Sequence, residues 1–214
     1  MTDLVDLDRG GAGPVRVHLD KVDLVLASTS RYRRDLLARL TPRFRALAPD
    51  TSETARTSEP AATLATRLAQ AKARAVATQC ANAIVIGSDQ AATLGGAILG
   101  KPGDIERAHA QLAAASGQEV VFHTAVCVVD TRQATLREFS AIDTTRVFFR
   151  RLEGDEIARY LERERPLDCA GSFKAEGLGI ALFERIDSQD PTALIGLPLV
   201  ALSRLLREAG IDVV

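Results

Sequence analysis

The chain has 214 residues, 46% of them hydrophobic and 26% charged, with a formal net charge of −1. Those values suit a globular protein with a full core, and the near-neutral balance lacks the basic field on which nucleic-acid binding depends. No apolar run approaches the roughly 20 residues that cross a bilayer, so neither nucleic acid nor a membrane is an expected partner.

Residues 1–20 mix Asp3, Asp6 and Asp8 with Arg9 and several glycines. They lack the apolar stretch of a secretory signal and read as a flexible lead-in. Three cysteines, Cys80, Cys127 and Cys169, are an odd number without metal-type spacing. That pattern fits a reducing, cytoplasmic setting and argues against a disulfide framework. Of 27 basic residues only four are lysines: Lys21, Lys72, Lys101 and Lys174. Where arginine is the default cation, a retained lysine points to a need for a compact charge with rotatable donors, as phosphate groups use it. For Lys21 chance is the simpler reading.

Leu24–Ala27 is read as a first strand, followed by a hydroxyl-rich turn and a helix capped by Ser30 and running to Leu40. Tyr32, Leu36, Leu37 and Leu40 form its apolar stripe, with Arg31, Arg33 and Arg34 in its first turns. Arginine opposes the helix dipole there, and an anion at the helix N-terminus would offset it. Residues 49–60 read as a polar loop with acids at Glu53 and Glu59. Pro60 opens a helix to about Gln79, with Leu64, Leu68, Ala71 and Ala75 as its stripe and Lys72 at the edge.

Ile84–Gln90 reads as a buried strand that carries Ser88, Asp89 and Gln90 to its C-terminal end. In open α/β sheets the ligand crevice lies outside such ends. Asp89 is therefore either a chemical group or a residue that turns or caps the chain. A Gly95–Gly96 hairpin and a short strand, Ala97–Leu99, lead to Gly100, Lys101 and Pro102. Asp104 caps a helix with Ile105, Ala108, Leu112 and Ala115 on one face. Residues 119–130 and 136–150 read as paired antiparallel strands, and Gly154 to Glu164 as a helix ended by Pro166. The loop 168–179 packs small residues around Lys174 and Glu176. Ile180–Ile186 reads as a strand, and Leu199, Leu202, Leu205 and Leu206 mark the last helix. The fold class is α/β, a mixed twisted sheet with an antiparallel insertion and flanking helices. His18, His109 and His123 fall in no ligand pattern.

Several stretches together resemble the Maf family of nucleoside triphosphate pyrophosphatases. These are LASTSRYRRDLL from Leu26, IGSDQ from Ile86, GKP from Gly100, SG at Ser116, DCAGSFKAEG from Asp168 and IGLPL from Ile195. SDQ and GSFKAEG are similar to the YceF-like branch, whose members hydrolyse 7-methyl-GTP. The resemblance covers the chain from about Val22 onward and implies one Maf-like domain over 21–214. It implies two lobes around a nucleotide cleft, as in the related inosine triphosphatases. It makes Asp89 the proton acceptor and gives Tyr32, Gln90 and Glu176 a role in substrate preference. Ser28, Arg33, Arg34, Lys72 and Lys101 become phosphate contacts. Glu53 and Asp89 become ligands of a divalent cation, Mg²⁺ or Mn²⁺. A homodimer is implied as well. Two positions depart from the family pattern: Arg31 stands where proline is usual, and Ser52–Glu53 replaces an Asp–Glu pair.

The reaction so implied is water attack on the α-phosphorus of a nucleoside triphosphate, releasing pyrophosphate. Cations are needed because charge moves onto the leaving group. Asp89 would take the proton, although a free aspartate with a pKa near ~3.9 is a weak base. 7-Methylguanine is cationic, so an aromatic face such as Tyr32 gains about 0.5–2 kcal/mol against it; Tyr32 reads equally as helix core. Glu176 can accept from the guanine N–H groups, or it pairs with Lys174 within the loop. Two other readings stand beside this one. One is the dTTP/UTP branch of the family, and the other is a nucleotide-binding regulatory protein linked to septum formation.

Overall fold

A computed structural model describes residues 16–214. Its elements are β1 (Val17–His18), β2 (Asp23–Ala27), α1 (Arg31–Leu37), β3 (Arg45–Leu47), α2 (Ala61–Ala77), β4 (Ala83–Leu94) and β5 (Ala97–Leu99). Then follow α3 (Ile105–Ala115), β6 (Glu119–Asp130), β7 (Arg137–Phe149), α4 (Gly154–Glu164), β8 (Phe183–Asp187), α5 (Leu199–Glu208) and β9 (Ile211–Asp212). One mixed sheet has the order β3-β2-β4-β6-β7-β8, with β5 on β4. β3, β2 and β4 run parallel, whereas β4, β6, β7 and β8 pair antiparallel.

Side chains alternate across β4. Val85 and Ala91 join α2 in one core cluster, whereas Ile84 and Ile86 pack with α1 and α5 in a second. A third cluster lies where α3 and α4 cover the far ends of β6 and β7. There Phe122, Phe149, Phe173 and Phe183 meet edge to face, the geometry that aromatic quadrupoles favour.

Gly87 sets the distance between α2 and the sheet. A Cβ there would lie 2.3 Å from the Ala69 carbonyl oxygen and 2.6 Å from the Ala73 nitrogen. Only glycine lets the helix backbone rest on the strand.

Several sequence expectations shift. Residues 1–15 of the expected lead-in lie outside the described residues. Residues 16–20 belong to the folded body: β1 pairs in parallel with β9, and Leu19 is buried. α1 stops at Leu37 rather than Leu40, since Pro42 disfavours helical geometry just upstream. The buried face of α2 is Leu64, Ala65, Leu68, Ala69, Lys72, Ala73 and Val76. Lys72 therefore lies inside that face, because alanine marks both sides of the helix and blurs the stripe. Ile105 on α3 is exposed. Ile180–Ile186 is not one strand. Leu178–Leu182 coils as a 3₁₀ turn before β8, and a Cβ on Gly179 would lie 2.4 Å from the Lys174 carbonyl oxygen.

β4 also runs past Gln90 to Leu94, so Asp89 and Gln90 are not at its C-terminal end. They stand where its partner changes. β2 ends opposite Gly87, and the pairing with β5 covers only Ala92 to Leu94. Residues 88–91 thus have no strand beside them on that edge, and the sheet is notched there.

Candidate active site

The notch opens into a cleft of about 770 Å³. All ten residues expected at the site line it: Ser28, Tyr32, Arg33, Arg34, Glu53, Lys72, Asp89, Gln90, Lys101 and Glu176.

α2 and β4 supply its charged floor. Lys72 Nζ donates to Asp89 Oδ1 at 2.6 Å and also to Glu53 Oε1. The Lys72 and Asp89 side chains are 6% and 11% exposed, whereas Glu53 reaches in from the solvent side at 57%. A nearly buried ammonium needs such counter-charges. The Lys72 bond holds the Glu53 carboxyl below its usual range against the effect of burial; Lys101 and Arg33 act in the same direction.

The two carboxylates converge on one cationic atom, and this is the observation that bears on a metal. A pair of carboxylates completed by phosphate oxygens and water is how Mg²⁺ is commonly held, so the residues fit a divalent cation arriving with a phosphate ligand. Among the described residues no group of three or more His, Cys, Asp or Glu side chains could hold a metal unaided.

α1 contributes Arg33. Its Nε donates to the Gly196 carbonyl at 2.9 Å. Burial pulls its guanidinium down from the ordinary value, and the Asp89 and Glu53 carboxylates oppose that. Two of the amides at the expected anion site already have side-chain partners. Ser30 N donates to Ser28 Oγ, and Arg33 N donates to Ser30 Oγ. Side chains add positive charge at this end, with Arg34 and Lys101 exposed at the rim.

The opposite face of β4 supplies Ser88 and Gln90. Ser88 Oγ lies 2.8 Å from the Ala125 carbonyl and 2.9 Å from that of Gly196. Gln90 Nε2 lies within 3.1 Å of Thr124 Oγ1 and of the carbonyls of Ala193 and Leu194.

Glu176 sits on the 168–179 loop, which is tied down on both sides. Phe173 enters the aromatic cluster, and Ser172 Oγ donates to Gln111. Lys174 N donates to the Tyr160 hydroxyl, and Lys174 Nζ to the Glu164 carbonyl. Leu178 N donates to the Glu164 carboxylate. Lys174 thus pairs with Glu164, not with Glu176, whose carboxylate is left exposed in the cleft. Tyr32 is half-buried on the cleft wall rather than in the core, with Cys169 Sγ 3.8 Å from its hydroxyl. Burial, with Cys169 beside it, pushes its phenol up, and burial pushes the Cys169 thiol up to about 12. Cys80, Cys127 and Cys169 are all unpaired, and His18, His109 and His123 lie away from the cleft.

Sequence reasoning assigned no role to Thr124, Gly196, Glu164 or Phe173. Phe173 and Gly196 fall inside quoted motifs. Thr124 and Glu164 gave no signal, because their partners are fixed by strand register and loop path.

A sequence model of the family described as "Maf-like protein" matches residues 23–209. The 7-methyl-GTP pyrophosphatase of Xanthomonas oryzae pv. oryzae (strain MAFF 311018) is 56% identical over 187 residues, 87% of this chain and 96% of that protein. Those of Xanthomonas axonopodis pv. citri (strain 306) and Aromatoleum aromaticum are 55% and 53% identical, covering 89% and 88% of this chain and 98% and 96% of theirs. A HAM1 protein from Coxiella burnetii overlays with a TM-score of 0.49 at 15% identity, over 87% of this chain and 99% of that one, too distant to carry an argument.

Proposed function

The chain belongs to the Maf family, and on that premise we propose that it hydrolyses 7-methyl-GTP to the monophosphate and pyrophosphate. Relatives above 50% identity that bear this activity in their names support the substrate. One observation carries the chemistry: a nearly buried Asp89, held by Lys72, at the floor of a cleft whose rim bears arginine and lysine.

In the proposed reaction the triphosphate lies between Arg33, Arg34 and Lys101, whose charges offset the phosphate oxygens and the charge that grows on the leaving pyrophosphate. Asp89 holds a water by one carboxylate oxygen and takes its proton as the water oxygen bonds to the α-phosphorus. The bond from that phosphorus to the bridging oxygen breaks, and pyrophosphate leaves. Lys72 orients Asp89 and reaches the phosphates. Glu53 and Asp89, with substrate oxygens, would hold Mg²⁺ or Mn²⁺, which when bound supplies Lewis-acid stabilisation of phosphate charge. Tyr32 offers a ring to a cationic base, and Glu176 and Gln90 face its polar edge.

Among the described residues no helix is long and apolar enough to cross a membrane. That fact and three unpaired cysteines support work on a free nucleotide in a reducing cytoplasm.

Pyrophosphate release from 7-methyl-GTP, GTP, UTP, dTTP and CTP with Mg²⁺ or Mn²⁺ tests the proposal. Selective turnover of 7-methyl-GTP is expected. A preference for UTP or dTTP keeps the enzyme class and overturns the substrate, and no turnover of any nucleotide overturns both.

A further inference from the structure

We propose that Thr124 is a positioning residue that fixes which end of the Gln90 amide the cleft presents, and thereby which base edge the enzyme accepts. Thr124 lies opposite Gln90 in the β4–β6 register and is fully buried. Its Oγ1 lies 2.9 Å from Gln90 Nε2, and its own proton goes to the Ala193 carbonyl, also at 2.9 Å. The Ala193 and Leu194 carbonyls stand 3.0 and 3.1 Å from the same Gln90 atom.

Carbonyl oxygens cannot donate, and the one proton of the threonine hydroxyl is committed. All three neighbours of this amide end are therefore acceptors, and only an NH₂ group can face them. The reverse orientation would set an oxygen against three oxygens, a buried and unpaired arrangement. Gln90 thus turns its donors into the protein and offers its carbonyl oxygen outward. Among the described residues that oxygen has no hydrogen-bond partner.

The segment that supplies the carbonyls is rigid for its own reason. Asp190, itself buried, accepts from Thr192 N and Oγ1 with one oxygen and from Val200 N and Ala201 N with the other. It ties both ends of the turn that carries Ala193 and Leu194 to the start of α5. Thr124 pins the middle of that turn to β6.

With Gln90 oriented in this way, the exposed Glu176 carboxylate and the Gln90 carbonyl are both acceptors only. A guanine-type edge carries two adjacent N–H donor groups and answers both. Uracil carries one N–H between two carbonyls, so its oxygens would meet acceptors. This selection rests on the reading that a nucleoside triphosphate binds with its base against Gln90. The amide orientation does not.

Two readouts separate the two claims. The first is the exchange protection of the Gln90 side-chain NH₂ protons, followed by ¹⁵N NMR without nucleotide. Protection is expected in the wild type, with a loss of about tenfold in Thr124→Val and recovery in Thr124→Ser. The second is the ratio of kcat/KM for 7-methyl-GTP to that for UTP. This ratio cancels a general loss of fold or chemistry. Thr124→Val is expected to lower it about tenfold through KM, with kcat within about twofold, and Thr124→Ser to restore it. Gln90→Glu, which keeps an acceptor toward the cleft but loses the inward donors, is expected to lower it at least as far. A folded Thr124→Val with unchanged protection, or a Gln90→Glu that keeps the ratio, overturns the proposal. A wild type with protected Gln90 protons but no preference for 7-methyl-GTP overturns the substrate reading and leaves the orientation standing.

Discussion

Lys72 Nζ and Asp89 Oδ1 meet at 2.6 Å across the seam between α2 and β4. The pair exists because Gly87, two positions earlier on the same face of β4, lets the helix backbone down onto the strand between Ala69 and Ala73. Lys72 lies on the helix turn that settles there. The helix packing and the Lys72–Asp89 pairing are thus met by residues two positions apart in one motif.

Asp89→Asn is expected to keep the fold and the shape of the floor while removing the proposed proton acceptor. kcat should fall by about 10²–10⁴-fold. Pyrophosphate release measures the loss. Binding of a non-hydrolysable triphosphate analogue, expected to persist, separates lost chemistry from lost affinity, and an unchanged rate would remove Asp89 as the base.

Gly87→Ala is expected to destabilise the protein by about 3 kcal/mol, since the new methyl would stand well inside van der Waals contact with backbone atoms that cannot rotate away. Urea unfolding checks this. A variant as stable as the wild type would mean that α2 can lift off the sheet, and activity should then fall because Lys72 moves with it.

Lys72→Met should cost about 3–5 kcal/mol at neutral pH, because Asp89 stays buried without its partner. It should also change the acid limb of the stability curve. Glu53 is held below its usual value chiefly by Lys72. Its contribution is therefore complete above the unfolded value near ~4.5 and is lost as pH falls through the folded one. Thermal melts between about pH 3 and 7 should show a shallower acid loss in the variant.

Asp143 behaves in the opposite sense. Burial pushes its carboxyl up, and the Asp190 carboxylate adds to that, although Thr145 donates to it at 3.0 Å. With a raised folded value, its contribution is complete below the unfolded value near ~3.9 and is lost as pH rises through the folded one. Asp143→Asn, which keeps an acceptor for Thr145, should raise Tm at pH 7 by about 2–4 °C and bring no gain near pH 3. A lower Tm at neutral pH would show that the charge is needed.

Much of this architecture could be read from the sequence where the signal is local. Period-2 and helical patterns, the Ser30 and Asp104 caps and the Gly95–Gly96 turn depend on near neighbours, and they led to the right elements. The cleft residues were legible because they cluster in short motifs. Distance along the chain is where reading failed. The end of β4 was set too early because continuation past Gln90 depends on pairing with β6, and Lys72 seemed marginal because an alanine-rich helix shows no sharp face. Nothing local marks Thr124, whose role appears only when β6 is laid against β4 in register.

The notch in β4 also divides labour. Asp89 and Gln90 are consecutive, so their side chains leave the strand on opposite faces, and both reach one cleft only because no neighbour strand walls off that edge. Asp89, the proposed base, is anchored to α2, whereas Gln90, the proposed base-reading residue, is anchored to β6 and the turn before α5. The sheet is a partition between them. On the proposed reading, substitutions among Gln90, Thr124 and the residues behind them are expected to retune which nucleotide is accepted without disturbing the packing that holds Asp89. A single-residue insertion just before Asp89 would exchange the two faces and disable both tasks at once.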